Sequence, residues 1–239
     1  MDVYRVGALG APVSAYVDVP GSKSVANRAL VCAALADGTS VLRGLPDGDD
    51  TEAMLECLVA LGLDVEADGD VATIVGGVDQ FKRTTVTLSA RLAGTTSRFI
   101  TAVAALGSVP YVIDGQPPLR RRPMADLHEA LVAMGAKVTA VDVEGHLPVR
   151  VQGPLRLDDT MTEVSLRGDI SSQFLSALMM VAPYCPAGAR FLLTTELVSR
   201  PYVRMTAAVM SAFGVDGVQI GDRIITVPPG RYQARDYTV

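Results

Sequence analysis

At 239 residues, 49% of them hydrophobic and with a mean hydropathy of +0.30, the chain can bury a sizeable core as one large domain or two small ones. Aromatic residues make up only 5% and tryptophan is absent, so that core is built from small aliphatic side chains. The net charge of −5, from 21 Lys and Arg against 26 Asp and Glu, argues against non-specific nucleic-acid binding, which needs a cationic surface, and makes any anion site a local concentration of positive charge. Cys32, Cys57 and Cys185 are far apart, odd in number and in no metal-like spacing, which predicts buried free thiols. Met1 to Arg5 lack a charged start followed by an apolar run, and no apolar run is of membrane-spanning length; a cytoplasmic protein is expected.

In chain order, Ala15-Tyr16-Val17-Asp18-Val19 alternates like a strand and Pro20-Gly21 breaks it. Ser22 is a candidate N-cap for an Ala- and Leu-rich helix running to Leu35. Lys23 then stands at a helix N-terminus, where free backbone N–H groups and the dipole attract an anion. Arg28 lies four residues after Ser24, on the same helix face. Two hydroxyls, an ammonium, a guanidinium and a helix N-terminus can converge on one small anion; the plain alternative is a capped helix with two solvated cations. A P-loop is not expected: Gly21-Ser22-Lys23-Ser24 copies only the tail of that motif, and with Gly21 as its second glycine Tyr16 stands where the first is required.

This strand–turn–helix pattern recurs. Val86-Thr87-Leu88 leads into Ala93-Gly94-Thr95-Thr96-Ser97-Arg98 and a helix, and Glu163-Val164-Ser165-Leu166 into Gly168-Asp169-Ile170-Ser171-Ser172-Gln173 and a helix. Second halves recur too: a strand, a polar turn (Asp47-Gly48-Asp49-Asp50, Arg120-Arg121-Arg122-Pro123, Ser199-Arg200-Pro201-Tyr202), a helix ending at Gly62, Gly135 or Gly214, and two further strands. The unit is βαβαββ with a period of roughly 70 to 80 residues. The first helix of each unit is apolar nearly all round, so three helices at the centre with sheets outside is the expected layering; pattern alone also permits the reverse. Under pseudo-threefold symmetry six helix N-termini, edged with hydroxyls and cations, share one end of the domain and form a broad polyanion site.

The motifs Pro20-Gly21-Ser22-Lys23-Ser24 with Asn27-Arg28-Ala29-Leu30, Ala93-Gly94-Thr95 with Arg98, Arg122-Pro123, Ser171-Ser172-Gln173-Phe174, and Ser199 with Pro201-Tyr202 resemble, in this order, the 5-enolpyruvylshikimate-3-phosphate synthase family, the 3-phosphoshikimate 1-carboxyvinyltransferases. The resemblance runs over essentially the whole chain. It implies the α/β enolpyruvate transferase fold: three βαβαββ repeats in a pseudo-threefold, inside-out α/β barrel, with two such domains and a cleft between them in members about twice this length. Residues 1–13 would then belong to a second domain, 14–230 to one three-repeat domain (units 14–78, 84–153 and 162–230), and 231–239 to a hinge strand leading out.

The activity implied is transfer of an enolpyruvyl group from phosphoenolpyruvate to the 5-hydroxyl of shikimate 3-phosphate with release of phosphate, through a tetrahedral intermediate, with no metal or cofactor. By the same resemblance Lys23, Ser24, Arg28, Ser171, Ser172, Gln173, Ser199 and Tyr202 bind shikimate 3-phosphate. Lys23, Gly94, Thr95, Arg98, Arg122 and Gln173 line the phosphoenolpyruvate side, and Lys23 is the one catalytic candidate. The acid–base carboxylates would come from the second, covalently linked domain, so this chain alone is expected to be inactive, in a protein that is otherwise monomeric. Leu92 and Phe99 depart from the Asn and Pro of many members; Gly94 is kept, as in members sensitive to glyphosate.

Two rival readings are a stand-alone anion-binding module and a UDP-N-acetylglucosamine enolpyruvyltransferase. The latter expects Lys-Asn at Lys23-Ser24 and a cysteine between Asp114 and Arg122, and neither is present. His128 and His146 have no metal-like spacing and are expected to be satisfied or solvated. Asp47, Asp49 and Asp50 fit a dipole-complementing helix start better than a metal cluster.

Overall fold

The computed structural model describes residues 3–5, 7–8, 10–17, 19–155, 158–169 and 171–239. The first unit holds α1 (Lys23–Leu35), β1 (Gly38–Arg43), α2 (Asp49–Leu61), β2 (Asp64–Asp68) and β3 (Val71–Gly76). The second holds β4 (Thr87–Ser89), α3 (Gly94–Ala104), β5 (Tyr111–Asp114), a one-turn α4 (Pro117–Arg120), α5 (Ala125–Ala133), β6 (Lys137–Ala140) and β7 (Val149–Gln152). The third holds β8 (Thr162–Leu166), α6 (Ser172–Val181), β9 (Ala189–Leu193), α7 (Arg200–Ala212), β10 (Gln219–Ile220) and β11 (Ile224–Val227), and β12 (Asp236–Thr238) follows.

The expected layering holds, with helices inside and sheets outside. Every residue of α1 from Ala26 to Leu35 is buried, as is nearly all of α3 and α6. Alanine-rich surfaces let these helices approach closely, and each fully buried Leu or Val contributes about 1.5–3 kcal/mol. Around the axis the helices follow one another as α1, α2, α3, α6, α7 and back to α1, with α5 packed on α6. Each sheet lays one face on this cylinder: in β8, Thr162, Val164 and Leu166 point in, while Glu163 and Ser165 point out. The helices α2, α5 and α7 stop at Gly62, Gly135 and Gly214, with φ of 116°, 100° and 89°, a left-handed turn that side chains other than glycine rarely adopt. Cys32, Cys57 and Cys185 are buried and unpaired.

The second and third sheets share one order, β4-β5-β7-β6 and β8-β9-β11-β10, with the first pair parallel and the rest antiparallel. The first sheet runs β12-β1-β3-β2, which corrects the expected strand at Ala15–Val19. The slot parallel to β1 is filled by the tail, with Val41 opposite Asp236 and Arg43 opposite Thr238. Residues 15–17 and 19 are exposed and form no strand; Asp18 lies outside the described residues. The edge of β1 accepts one strand, and the tail brings an inward Tyr237 whose ring lies 5.4 Å from that of Phe213. The exposed Tyr16, Val17 and Val19 make no equivalent burial. The tail is therefore a strand, as expected, but one that completes the threefold pattern of this body.

Candidate anion-binding site

The turns singled out in the sequence are stitched together by polar contacts between units. Between the first and third units stands Arg28, 2% exposed in the middle of α1. Its Nη1 donates to the Ser24 carbonyl at 2.7 Å, Nε to Thr206 Oγ1 at 2.7 Å and Nη2 to Ser176 Oγ at 2.9 Å. The guanidinium lies over the Phe99 ring, 5.2 Å from its centroid. Among the described residues no carboxylate neutralises it. Burial lowers its pKa to about 10, so it stays charged at neutral pH.

Within the first unit Lys23 Nζ pairs with Asp50 Oδ2 at 3.0 Å, and between the first and second units Thr96 Oγ1 donates to the Asp50 carbonyl at 3.0 Å. Lys23 and Arg28 therefore do not converge directly: the ammonium turns to α2 at the surface, and the guanidinium is captured below by hydroxyls of α6 and α7. The i to i+4 spacing from Ser24 is as expected, but it engages the Ser24 carbonyl. Ser22 precedes α1 as expected, yet its hydroxyl caps nothing; its carbonyl accepts from Val25 and Ala26 instead.

At the head of α3 three groups crowd one point. Arg98, 4% exposed, donates from Nη1 to the Gly94 carbonyl at 2.6 Å, and its buried Nε has no partner. Burial, with Arg122 adding repulsion, lowers its pKa to about 10. A Cβ built on Gly94 would lie 2.2 Å from Arg122 Nη1 and 2.6 Å from Arg98 Nη1, so both guanidiniums lean on a backbone that only glycine leaves open. Between the second and third units Gln173 Nε2 donates to Thr95 Oγ1 at 3.1 Å, and Ser171 Oγ caps α6 by accepting from the Gln173 N–H at 3.2 Å. Ser172, Ser199 and Tyr202 sit at the heads of α6 and α7, half-buried or exposed, with no side-chain hydrogen bond to the other candidates.

The result is an open face with two buried, unneutralised guanidiniums beneath it and Lys23 and Arg122 at its surface. In a low-dielectric setting such charges act on an anion more strongly than solvated ones. Sequence reading missed Ser176 and Thr206. Their signal is a hydroxyl at a position where the apolar helix pattern calls for a hydrophobe.

His128 lies 8% exposed in α5, and its Nε2 is buried with no partner among the described residues. Burial, then the nearby His146, lowers its pKa to about 4. Folding therefore excludes a proton that the unfolded chain takes up below about 6.5. Its stability contribution is intact above that pH and is lost as pH falls from 6.5 towards 4, to the extent of about 3 kcal/mol at roughly 1.4 per tenfold. Urea melts of wild type and His128→Asn across this range should show a shallower acid loss in the variant; parallel curves would refute this account. Among the described residues no three His, Cys, Asp or Glu side chains are grouped to hold a metal, and no helix is long and apolar enough to cross a membrane.

The sequence model of the family described as EPSP synthase (3-phosphoshikimate 1-carboxyvinyltransferase) matches residues 8–239. A 3-phosphoshikimate 1-carboxyvinyltransferase of Nostoc punctiforme is 39% identical over 242 residues, covering 100% of this chain and 56% of that protein. One from Vibrio cholerae is 39% identical over 222 residues, covering 92% and 51%. The solved EPSP synthase of Acinetobacter baumannii superposes with a TM-score of 0.81 at 24% identity, over 93% of this chain and 49% of that one, which shows a shared fold. The chain spans about half the length of the curated relatives it matches.

Proposed function

The chain belongs to the EPSP synthase (3-phosphoshikimate 1-carboxyvinyltransferase) family, and on that premise we propose that it carries most of a shikimate 3-phosphate site and part of a phosphoenolpyruvate site. The observation that supports this most is the pair of buried arginines, Arg28 and Arg98, held without carboxylates beneath one open face. Two phosphorylated, carboxylated substrates need such a concentration of positive charge, which a chain of net charge −5 must supply locally.

On this reading Ser171, Ser172, Ser199 and Tyr202 take the shikimate phosphate at the heads of α6 and α7. Arg28, Lys23 and Ser24 supply charge and hydroxyl to the same ligand, and Gln173 meets the ring. Gly94, Thr95, Arg98, Arg122 and Gln173 hold phosphoenolpyruvate at the head of α3. Attack of the 5-hydroxyl oxygen on C2 of phosphoenolpyruvate, with loss of the hydroxyl proton and addition of a proton to C3, gives a tetrahedral adduct; loss of phosphate from C2 together with a proton from C3 restores the double bond. The chain's part is to bind both anions and to stabilise charge on the departing phosphate through Lys23 and the guanidiniums. General acid–base groups are assigned to the remainder of a protein twice as long, so we propose that this chain alone does not turn over. The two substrates are its small-molecule partners, in a monomeric protein of a reducing cytoplasm, in keeping with three buried free thiols.

Calorimetric titration of shikimate 3-phosphate tests the reading, with unphosphorylated shikimate and Lys23→Ala as controls. The Lys23–Asp50 pair is exposed and contributes about 0–1 kcal/mol, so a dianion can take the ammonium over. Saturable binding that fails in both controls is expected. Equal binding of shikimate, or no binding by a folded chain, would overturn it.

A further inference from the structure

Among the described residues Arg91, in the loop from β4 to α3, is the one non-glycine residue with a positive φ, at 49°. A left-handed backbone disfavours a branched side chain and suits glycine, so an arginine there points to work done by its side chain. That side chain crosses to α2. Its Nε donates to Glu56 Oε2 at 2.9 Å and Nη1 to Glu52 Oε2 at 2.7 Å, Nη2 bonds Glu56 Oε1, and Asp49 Oδ1 stands 4.0 Å from Nη1. The Arg91 carbonyl accepts from the Gln116 N–H at 2.8 Å, tying in the loop that leads to Arg122. Three residues on, Gly94 opens α3. The same first turns of α2 receive Thr96 and Lys23 through Asp50.

We propose that Arg91 is a positioning residue: by clamping its loop to Glu52 and Glu56 it fixes the head of α3, with Gly94 and Thr95, against Lys23, and so sets the phosphoenolpyruvate half of the site. This rests on the functional reading above. The clamp also neutralises two carboxylates that would otherwise repel an anion from this rim. The clamped groups are largely exposed, and exposed pairs contribute little to global stability. The effect is therefore local: loop order rather than melting temperature.

Hydrogen exchange of the amides from residue 92 to 96 separates this from a merely structural role. Arg91→Gly removes the clamp but relieves the backbone, so it should raise exchange in this segment by about tenfold or more while the thermal midpoint stays level or rises. The double variant Glu52→Gln with Glu56→Gln should reproduce the exchange, and Arg91→Lys should fall between. Phosphoenolpyruvate affinity should drop about tenfold or more in Arg91→Gly, with shikimate 3-phosphate affinity unchanged. Unaltered exchange overturns the clamp whatever the ligands do, and equal loss of both ligands overturns the assignment to one half of the site. Wild type that binds neither ligand overturns the functional reading, while the exchange measurement still decides the clamp.

Discussion

Replacing Arg28 by methionine is expected to raise the thermal midpoint of the free chain and to weaken shikimate 3-phosphate binding by well over tenfold. Burial, chiefly, pulls the pKa of Arg28 down from its ordinary value to about 10 in the folded chain. The folded state thus disfavours the charged form by on the order of 3 kcal/mol even with its three hydrogen bonds in place. A buried charge replaced by a well-packed apolar side chain is often neutral or stabilising by about 1–4 kcal/mol. The neighbours are not orphaned, because Thr206 Oγ1 is 2.8 Å from both Ser176 Oγ and the Tyr202 carbonyl. Methionine fills much of the same volume and packs its sulfur near Phe99. A net gain of about 1–2 kcal/mol corresponds to about 3–6 °C in a domain of this size. Binding moves the other way: loss of a buried cation opposite a dianion costs about 2–5 kcal/mol, about thirtyfold to several thousandfold in affinity. Scanning calorimetry and titration of the same preparation read both quantities. A variant that melts several degrees lower would mean that the three hydrogen bonds outweigh burial and that Arg28 is a pillar of the fold first.

Much of this architecture was legible because its signals are local and repeated. Each inner helix announces itself by a mostly apolar stretch rich in Ala, Leu, Val and Met, broken by single polar residues such as Arg28, Thr101 and Ser176, and three copies at one spacing leave little freedom in topology. Gly62, Gly135 and Gly214 marked helix ends because a left-handed turn excludes most side chains. The slot beside β1 was not legible. Both Ala15–Val19 and Asp236–Thr238 alternate, and the choice between them depends on tertiary contacts of Tyr237 with Phe213. α4 was missed because a four-residue turn carries no period. Within the site, Gly94, Arg98 and Arg122 could be grouped by motif, and the structure brings them within touching distance. The burial of Arg28 could not be read in the same way. Helical spacing puts Arg28 on the face of Ser24, but only the packing of α6 and α7 decides that this face is interior.

Gly94→Ala is expected to cut phosphoenolpyruvate affinity by about ten- to a hundredfold while leaving shikimate 3-phosphate binding and overall stability close to wild type. The new Cβ would fall 2.2 Å from Arg122 Nη1 and 2.6 Å from Arg98 Nη1, far inside contact distance. The two arginines respond differently. Arg122 is exposed and swings its guanidinium off the head of α3 at little cost. Arg98 is 4% exposed, bonded to the Gly94 carbonyl and stacked over Phe174 at 5.7 Å, so it shifts only slightly and with strain. Alanine in place of glycine contributes about 1 kcal/mol in a helix interior and less at Gly94, the first residue of α3, which offsets part of that strain. The damage therefore falls on the position of the Arg122 charge, not on the fold. Gln173 and the heads of α6 and α7 are untouched, so the other ligand keeps its site. Titration of each ligand into Gly94→Ala, with a thermal melt, separates the outcomes. Parallel loss of both ligands would place Gly94 at the centre of one shared site, and undiminished phosphoenolpyruvate binding would remove the head of α3 from that site altogether.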